Sequence, residues 1–542
     1  MFPRWRKRVV DALSQKVYNM VIKPDHFLRR VEREVDLSFI NALCAPEYKN
    51  GTEKGGRPAE EPERVFRALL LMILYQIPYE TVLVEAISLN LAFRWFLRMG
   101  LLEKVFDHSL FYVVRDRLGP VLFEEILTLI FQQCLKAGLI GHQWVFYDFT
   151  DIEAAAACYT PYERAVIVAR AVMRLLEERP SEAGDDPTQP PQEASPALKR
   201  LAAEVAKEVV KAKKSKVKNI LKGVERLEEA SKTHAEKLPH RERVARALAE
   251  GRETLHNHRP ETLQQVMEQL KAEMPHAKGD AEAKIGHTSR DHRFCGYLSG
   301  NLADGKYRVI SATHLEPGNV YQAHAFVASR VAEQHLERAG RAPARAALDA
   351  AFGYPEVAAH LAKEWPQTEV FLEPGVIPPK QPAQKKVFGI EAFTLTEDDH
   401  LLCPNEELPL EKREMHIQSH RKDGTLEYAG NACSDCPLRP QCTTKKKGPR
   451  VVKLHPDNHR YRQAIEAKAK TPEHRVAMRR LFAFIEPVFG HGKTYHRWGK
   501  APYRSLRMNR IFNLLVVIAW DIEKLVRYAP VERQRRLACA SP

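Results

Sequence analysis

One stretch constrains this chain more than any other: Val145-Phe-Tyr-Asp148-Phe-Thr150-Asp151-Ile-Glu153. An apolar, aromatic run from Trp144 to Tyr147 ends in a carboxylate. That pattern suits a buried strand whose last residue delivers an acid to the rim of a sheet. Two later stretches answer it. Ala346-Ala-Leu-Asp349-Ala-Ala-Phe-Gly353-Tyr354 has the same strand-then-acid pattern, and Phe482-Ala-Phe-Ile-Glu486-Pro-Val-Phe-Gly490 sets a lone carboxylate in an apolar, helix-like run. Three acids in apolar settings, far apart in sequence, can converge on a divalent metal. Singly, each reads as well as a cap, a turn residue or a surface acid.

At roughly 150 residues per domain, 542 residues allow about two to four domains. The formal charge of +15 favours a polyanionic partner, nucleic acid or an anionic membrane surface. A generic basic surface accounts for the charge about as well. The basic start, Met1-Phe-Pro-Arg-Trp-Arg-Lys-Arg, is not followed by an apolar signal core. The most apolar runs, 121–130 and 511–520, are too short to span a bilayer and read as buried helices. No membrane partner is expected. Nine cysteines in a long chain without a secretion signal argue for a reducing cytosol and against a disulfide framework.

Residues up to about 140 read as helical. Pro62 suits a first helical turn ahead of an apolar run, Pro78 opens a second helix that ends near Gly100, and Asp107-His108-Ser109 caps a third. Arg94, Arg98, Arg115 and Arg117 fit a DNA-binding face, and fit the solvated face of a plain bundle nearly as well. Residues 179–196 have linker composition. From 196 to about 284 the chain is rich in Ala, Lys, Glu and Arg, the composition of long charged helices. Its basic run, which includes Lys213 and Lys214, follows a phosphate backbone or faces solvent.

Strand character returns at 294–302 and 307–313, separated by the turn Asp304-Gly305-Lys306, where Asp304 reads as structural. A helix at 320–337, the strand ending at Asp349, a helix at 355–365 and a strand at 369–372 follow. Without the insertion, this is the order of a ribonuclease-H-like α/β fold with a mixed sheet. There the first and fourth strands are neighbours, so Asp148 and Asp349 would stand side by side.

Seven motifs now stand in order: Lys23-Pro-Asp-His26-Phe-Leu-Arg-Arg30, Gly56-Arg-Pro-Ala-Glu-Glu-Pro62, Asn90-Leu-Ala-Phe-Arg-Trp95-Phe-Leu, Asp107-His-Ser109, Asp148-Phe-Thr150-Asp-Ile-Glu-Ala, Asp349-Ala-Ala-Phe-Gly-Tyr354 and Glu486-Pro-Val-Phe-Gly490. With them the chain resembles the bacterial insertion-sequence transposases of the DDE type. The branch it is similar to has an N-terminal transposase-associated helical domain, a helical insertion after the first catalytic strand and a cysteine-containing segment before the catalytic glutamate. The resemblance implies that Asp148, Asp349 and Glu486 hold two Mg²⁺ or Mn²⁺ ions, and that Lys493, seven residues after Glu486, holds a phosphate beside them. Two helical turns put Glu486 and Lys493 on one face. Asp151 and Glu153 are set aside as ligands. Three departures stand out. Phe149 follows the first aspartate where a small residue is common, two extra residues precede Gly353-Tyr354, and the nearest arginines before Glu486 are Arg479 and Arg480.

Cys403 and the run Cys433-Ser-Asp-Cys436-Pro-Leu-Arg-Pro-Gln-Cys442 have the spacing of a four-thiolate Zn²⁺ site, with His416 or His420 as possible substitutes. A set of reduced structural thiols is the other reading. Cys44, Cys134, Cys158, Cys295 and Cys539 read as packing residues or free thiols. Lys445, Lys446 and Lys447 follow as a basic tail, and Arg497 and Trp498 mix charge with an aromatic ring, a pattern that contacts DNA or, for Trp498, anchors a core.

The chain divides into an N-terminal helical DNA-binding region (1–140), the first catalytic strand (141–160), a linker and charged helical insertion (161–285), the rest of the sheet (286–380), a cysteine-rich insertion (381–456) and a C-terminal catalytic helix region (457–542). The expected function is binding of terminal inverted repeats with metal-dependent DNA cleavage and strand transfer. The expected partners are double-stranded DNA at element ends and target, with a homodimer on DNA and a cytoplasmic, nucleoid-associated location. The alternatives are a metal-dependent nuclease without strand transfer and a non-catalytic, domesticated DNA-binding protein.

Overall fold

The computed structural model describes residues 5–6, 10–48, 58–155, 279–287, 292–320, 325–375, 387–422, 424–445 and 447–540. The expected linker and nearly all of the charged insertion, with Lys213, Lys214 and Cys158, lie outside the described residues. So does Lys446.

The N-terminal part is helical: α1 (Ala12–Val21), α2 (Phe27–Glu34), α3 (Phe39–Cys44), α4 (Pro62–Leu74), α5 (Glu80–Leu89), α6 (Leu91–Phe96) and α7 (Ser109–Lys136). Pro62 opens α4, as its fixed φ and missing N–H favour. Every residue from Pro62 to Ile73 is buried, so α4 is the centre of the bundle. Its charges are paired internally: Arg64 with Glu60 at 3.0 Å, and Arg67 with Glu63 at 2.8 Å and with Glu32. The single helix expected from Pro78 to near Gly100 is broken at Asn90. The Asn90 side chain accepts from the N–H groups of Ala92 and Phe93 and starts α6 afresh. Asp107 caps α7 by accepting from Ser109 N at 2.9 Å. The helix kinks where Gly119 (φ 65°) precedes Pro120.

Among the described residues, α7 alone is long and apolar enough to cross a membrane by length and composition. It buries Phe111, Phe123, Ile126, Ile130 and Phe131 in the protein core and packs along the last helix.

The central sheet holds β1 (Trp144–Ala154), β2 (Lys284–His287), β3 (Arg293–Asp304), β4 (Ile310–Pro317), β5 (Arg345–Leu348) and β6 (Glu369–Leu372), with α8 (Ala325–Ala339) and α9 (Pro355–Glu364) between strands. Its order is β4-β3-β1-β5-β6, with β2 extending the β3 edge that β4 occupies. The β1–β3 and β3–β4 pairs are antiparallel, and β1–β5 and β5–β6 are parallel. This is the mixed, ribonuclease-H-like order. Asp304 is structural, as expected: it is buried and accepts from the N–H groups of Gly141, His142 and Lys306.

A second, five-stranded antiparallel sheet follows: β7 (Thr394–Leu395), β8 (Leu401–Leu402), β9 (Glu414–His420), β10 (Leu426–Ala429) and β11 (Val451–Leu454). It has its own small core of Phe393, Leu401, Met415, Tyr428, Val452 and Leu454. The chain ends in α10 (Pro456–Ala469), α11 (Pro472–Tyr495), the short β12 (Lys500–Ala501) and α12 (Leu506–Ala540).

The helix α12 joins the two halves of the core by packing on α7, α4, α2 and β4. A buried polar network fixes it to the sheet. Asn513 accepts from Ser299 Oγ at 2.7 Å and from Trp498 Nε1 at 2.9 Å, and donates to Thr313 Oγ1 at 2.9 Å. Thr313 donates in turn to Asn301, which donates to Ser299. Every member is buried, so removing the hub strands several polar groups at once. We expect Asn513→Ala to lower the unfolding free energy by about 3 kcal/mol, measured by denaturant titration against the wild type.

Candidate active site

The site is assembled at the end of β5 and midway along β1, which does not end at Asp148 as expected but runs on to Ala154 because β3 pairs with it that far. These strands pair in parallel with Tyr147 opposite Leu348, so the next residue on each is an aspartate, Asp148 and Asp349. Along the other edge of β1, Asp148 faces Asn301 of β3. The helix α11 lies against β1 and β5 and carries Glu486. Phe146 of β1 packs on Phe484 of α11 at 5.1 Å between ring centroids, which fixes the helix two residues before the glutamate.

The three acids feel one another. Burial first, and then the charges of Asp349 and Glu486, push the Asp148 carboxyl up to about 8; the N–H of Phe149, donating to Asp148 Oδ1 at 2.7 Å, pulls the other way. Among the described residues, the three carboxylates do not form one knot of ligand atoms within 4.8 Å. An all-oxygen, acidic donor set suits hard divalent cations such as Mg²⁺ or Mn²⁺.

Proline at 487 cannot donate to the carbonyl of Ala483, so the helix turn that carries Glu486 loses a hydrogen bond. Arg308 covers this turn, donating to Phe484 O at 3.1 Å and Ala483 O at 3.5 Å, with its guanidinium 4.5 Å from the Phe484 ring.

The family departures have a structural reason. Phe149 stacks on Phe352 at 5.2 Å and 11°. The two extra residues after Asp349 are taken up in a three-residue 3-10 turn, Ala350–Phe352, that presents Phe352 to it. The turn returns the chain to Gly353, where any Cβ would meet Glu373 O at 1.9 Å. Only glycine allows that approach.

Lys493 does not stand free beside the acids. Its ammonium is 2.8 Å from Asp151 Oδ1, and His292 lies 3.6 Å from the same carboxylate. Burial pushes the Asp151 carboxyl up, and Lys493 more than offsets it, leaving it below the usual aspartate range. The strand β12 pairs in parallel with the end of β1 and closes this corner.

Several residues expected to face DNA do not. Arg94 is buried and donates to Gly100 O and Glu103 O, closing the loop after α6. Arg115 is buried between Glu80, at 2.7 Å, and the Tyr503 ring, at 4.2 Å. Trp498 is fully buried on the Asn513 network and cannot stack on a base. Arg497 is turned inward, donating to Ile77 O at 3.1 Å. Arg98 pairs with Glu32 at 3.1 Å. Arg117, above the Tyr48 ring, is exposed, as are Lys445 and Lys447.

Cys403, Cys433, Cys436 and Cys442 line one cavity of about 30 Å³ whose lining includes neither His416 nor His420. His416 is exposed and bonded to Asn431. Burial raises the Cys442 thiol; Arg450 lowers it, and the charges of Cys433, Cys436 and Cys403 raise it further. Gly430 lets Cys433 approach, since a Cβ there would lie 2.5 Å from its sulfur. Arg439 donates to Cys433 O and to Lys445 O, tying the thiols to the basic loop. Of the other cysteines, Cys44, Cys134 and Cys295 are buried and Cys539 is exposed.

Two family models match the chain. Residues 16–117 match a family described as Transposase domain (DUF772), and residues 402–526 match one described as Transposase DDE domain. The chain thus carries a transposase domain near its start and a transposase DDE domain near its end, consistent with an insertion-sequence DDE transposase. The second match includes Glu486 and Lys493; Asp148 and Asp349 lie outside it. No curated protein and no solved structure matches. In this transposase the carboxylate-bearing strands are placed by the sheet order, and the glutamate-bearing helix is part of the matched DDE domain.

The residue the sequence reading set aside is Asp151, the partner of Lys493. Its lone position past Asp148 was the available signal, but strand alternation argues it onto the other face from Asp148 and hides the contact across to α11.

The crowding at Asp148 sets a pH dependence. An unfolded aspartate ionises near 3.8, and the folded one near 8. Between those values folding takes up a proton, so the metal-free protein loses stability as pH rises through that window. We expect Asp148→Asn, in chelator, to melt above wild type at pH 8 and no higher than wild type at pH 4, as read by thermal unfolding.

Proposed function

We propose that this transposase binds the terminal inverted repeats of its own element and catalyses metal-dependent strand cleavage and strand transfer. The observation that carries the reading is the meeting of Asp148 and Asp349 on adjacent parallel strands with Glu486 on the helix above them. Asp148, Asp349 and Glu486 would hold two Mg²⁺ or Mn²⁺ ions. When bound, the ions supply activation of the attacking oxygen, from water or a DNA 3′-hydroxyl, and stabilisation of the leaving 3′-oxygen.

The chain's own groups do the rest. Asp148 gives up its raised proton so that all three carboxylates are charged. Lys493 moves from Asp151 to the scissile phosphate. A pair that is part-exposed on both sides is worth only about 0–1 kcal/mol, so the exchange costs little. Asp151 receives Lys493 again when the product leaves. Phe149 and Phe352 stack on the face of the sheet away from Asp148 and brace the two aspartate-bearing strands.

DNA contacts fall to Arg117, Lys445 and Lys447, with Lys213, Lys214 and Lys446 as further candidates outside the described residues. The four cysteines hold a structural Zn²⁺ that braces the second sheet. Two copies pair the element ends, in the cytoplasm and on the nucleoid. The six-part division of the chain given above remains our reading of its organisation.

A linear DNA bearing the flanking element end tests this. We expect cleavage with Mg²⁺ or Mn²⁺, none in chelator, and a fall of at least about 10²-fold in Asp349→Asn with end binding retained. End binding without cleavage under any metal in the wild type would favour a binding protein; cleavage without joining would favour a nuclease. For the thiols, we expect Cys436→Ser to lose one equivalent of bound zinc, measured by elemental analysis.

A further inference from the structure

Beyond the acids, α11 carries two histidines that the proposed reaction does not use. His491 lies five residues past Glu486, and His496 caps the helix. Both point at Glu523 of α12. His491 Nε2 and His496 Nε2 are each 3.4 Å from Glu523 Oε2. Among the described residues, this is the one group of three potential metal ligands whose atoms all lie within 4.8 Å of one another.

These contacts are poor hydrogen bonds. His491 Nε2 and both ring nitrogens of His496 have no hydrogen-bond partner, although His496 is only 1% exposed. His496 Nδ1 thus has no partner and Nε2 only the long contact to Glu523, an arrangement that folded proteins avoid for a buried imidazole. Trp520 closes one side, edge-on to His491 at 5.3 Å and to His496 at 6.5 Å.

A bound ion resolves the geometry. Ligands held about 2.0–2.1 Å from a tetrahedral zinc lie roughly 3.3–3.4 Å from each other. That is the separation Glu523 keeps from both imidazoles. Two imidazoles and one carboxylate suit Zn²⁺ and similar transition ions, whereas Mg²⁺ prefers oxygen ligands and retained waters. The donor set is therefore chemically distinct from the all-carboxylate site.

We propose that His491, His496 and Glu523 form a zinc site that fastens the end of α11 to α12. His491 stands between Glu486 and Lys493 in sequence, so the ion anchors the helix that carries both. Its role is positioning. The partly exposed His491 leaves one side of the ion open to a water ligand.

The experiment counts metal on the full chain after chelation and reloading with zinc, and repeats the loading with cobalt, whose thiolate complexes absorb strongly in the near ultraviolet. The expected result is that His491→Ala and Glu523→Gln each lose one zinc equivalent while the thiolate–cobalt band keeps its full intensity. Excess Mg²⁺ should not displace the lost equivalent from the wild type. Unchanged zinc content in folded His491→Ala or Glu523→Gln overturns the proposal. His491 is partly exposed and Glu523→Gln keeps its shape, so one of the two should fold. If neither does, wild-type cobalt loading in excess Mg²⁺, which occupies the carboxylate site, decides: an equivalent without thiolate absorption upholds the site, and saturation at the thiolate-coupled equivalent alone overturns it. None of these outcomes depends on whether the protein cleaves DNA.

Discussion

The structure turns on a short parallel pairing, Trp144–Tyr147 of β1 against Arg345–Leu348 of β5. It puts two carboxylates next to each other where electrostatics would drive them apart. At about 4 Å, like charges at the rim of a protein repel by a few kcal/mol, so the strands must be held from outside the site. Nine consecutive residues of β1, from Val145 to Glu153, pair with β3, and β12 binds the end of β1. On the other side, β6 pairs along β5. The Asp148 carboxyl reports the remaining strain through its raised proton affinity. A metal-free site of this kind is tolerated because the sheet is over-determined around it.

The same logic explains the final helix. α12 touches both the N-terminal bundle and the sheet, and its contacts to the sheet include buried polar ones. Asn513 holds Trp498, Ser299 and Thr313, and Asp521 accepts from Ile310 N at 2.9 Å. Burial holds the Asp521 carboxyl well above the usual range. A helix fixed by a buried polar network has one register. That register decides where α11 ends, and so where Glu486 and Lys493 lie.

The parts of the fold that were legible in the sequence are those with long apolar periodicity. The strands around Asp148 and Asp349, the turn at Asp304 and the α11 run all form near the expected places. The five-stranded sheet was not legible. Its strands are two to seven residues long, and the alternation in Glu414–His420 runs only to Gln418, too short to mark a strand alone, so the fold there is set by tertiary pairing. Arginine was misread for a different reason. Arg94 and Arg115 occupy positions that look solvated by composition, yet each finds carbonyl, carboxylate or aromatic partners supplied from elsewhere in the chain. Sequence spacing gives the face of a helix, not what covers it.

The departures at the acids carry the last step. Phe149 in place of a small residue would clash in a site built for one, and two extra residues after Asp349 would displace Gly353 from its contact with Glu373. Together they fit, because the 3-10 turn both delivers Phe352 to the face of Phe149 and restores Gly353 to the one place where the backbone can approach that carbonyl. The stacked rings join the apolar cluster of Val145, Tyr147 and Leu348. Strand alternation sets that cluster on the face of β1 away from Asp148. The two departures therefore pack the back of the strands that carry the aspartates, while on the other face burial raises the cost of the charged Asp148 carboxylate.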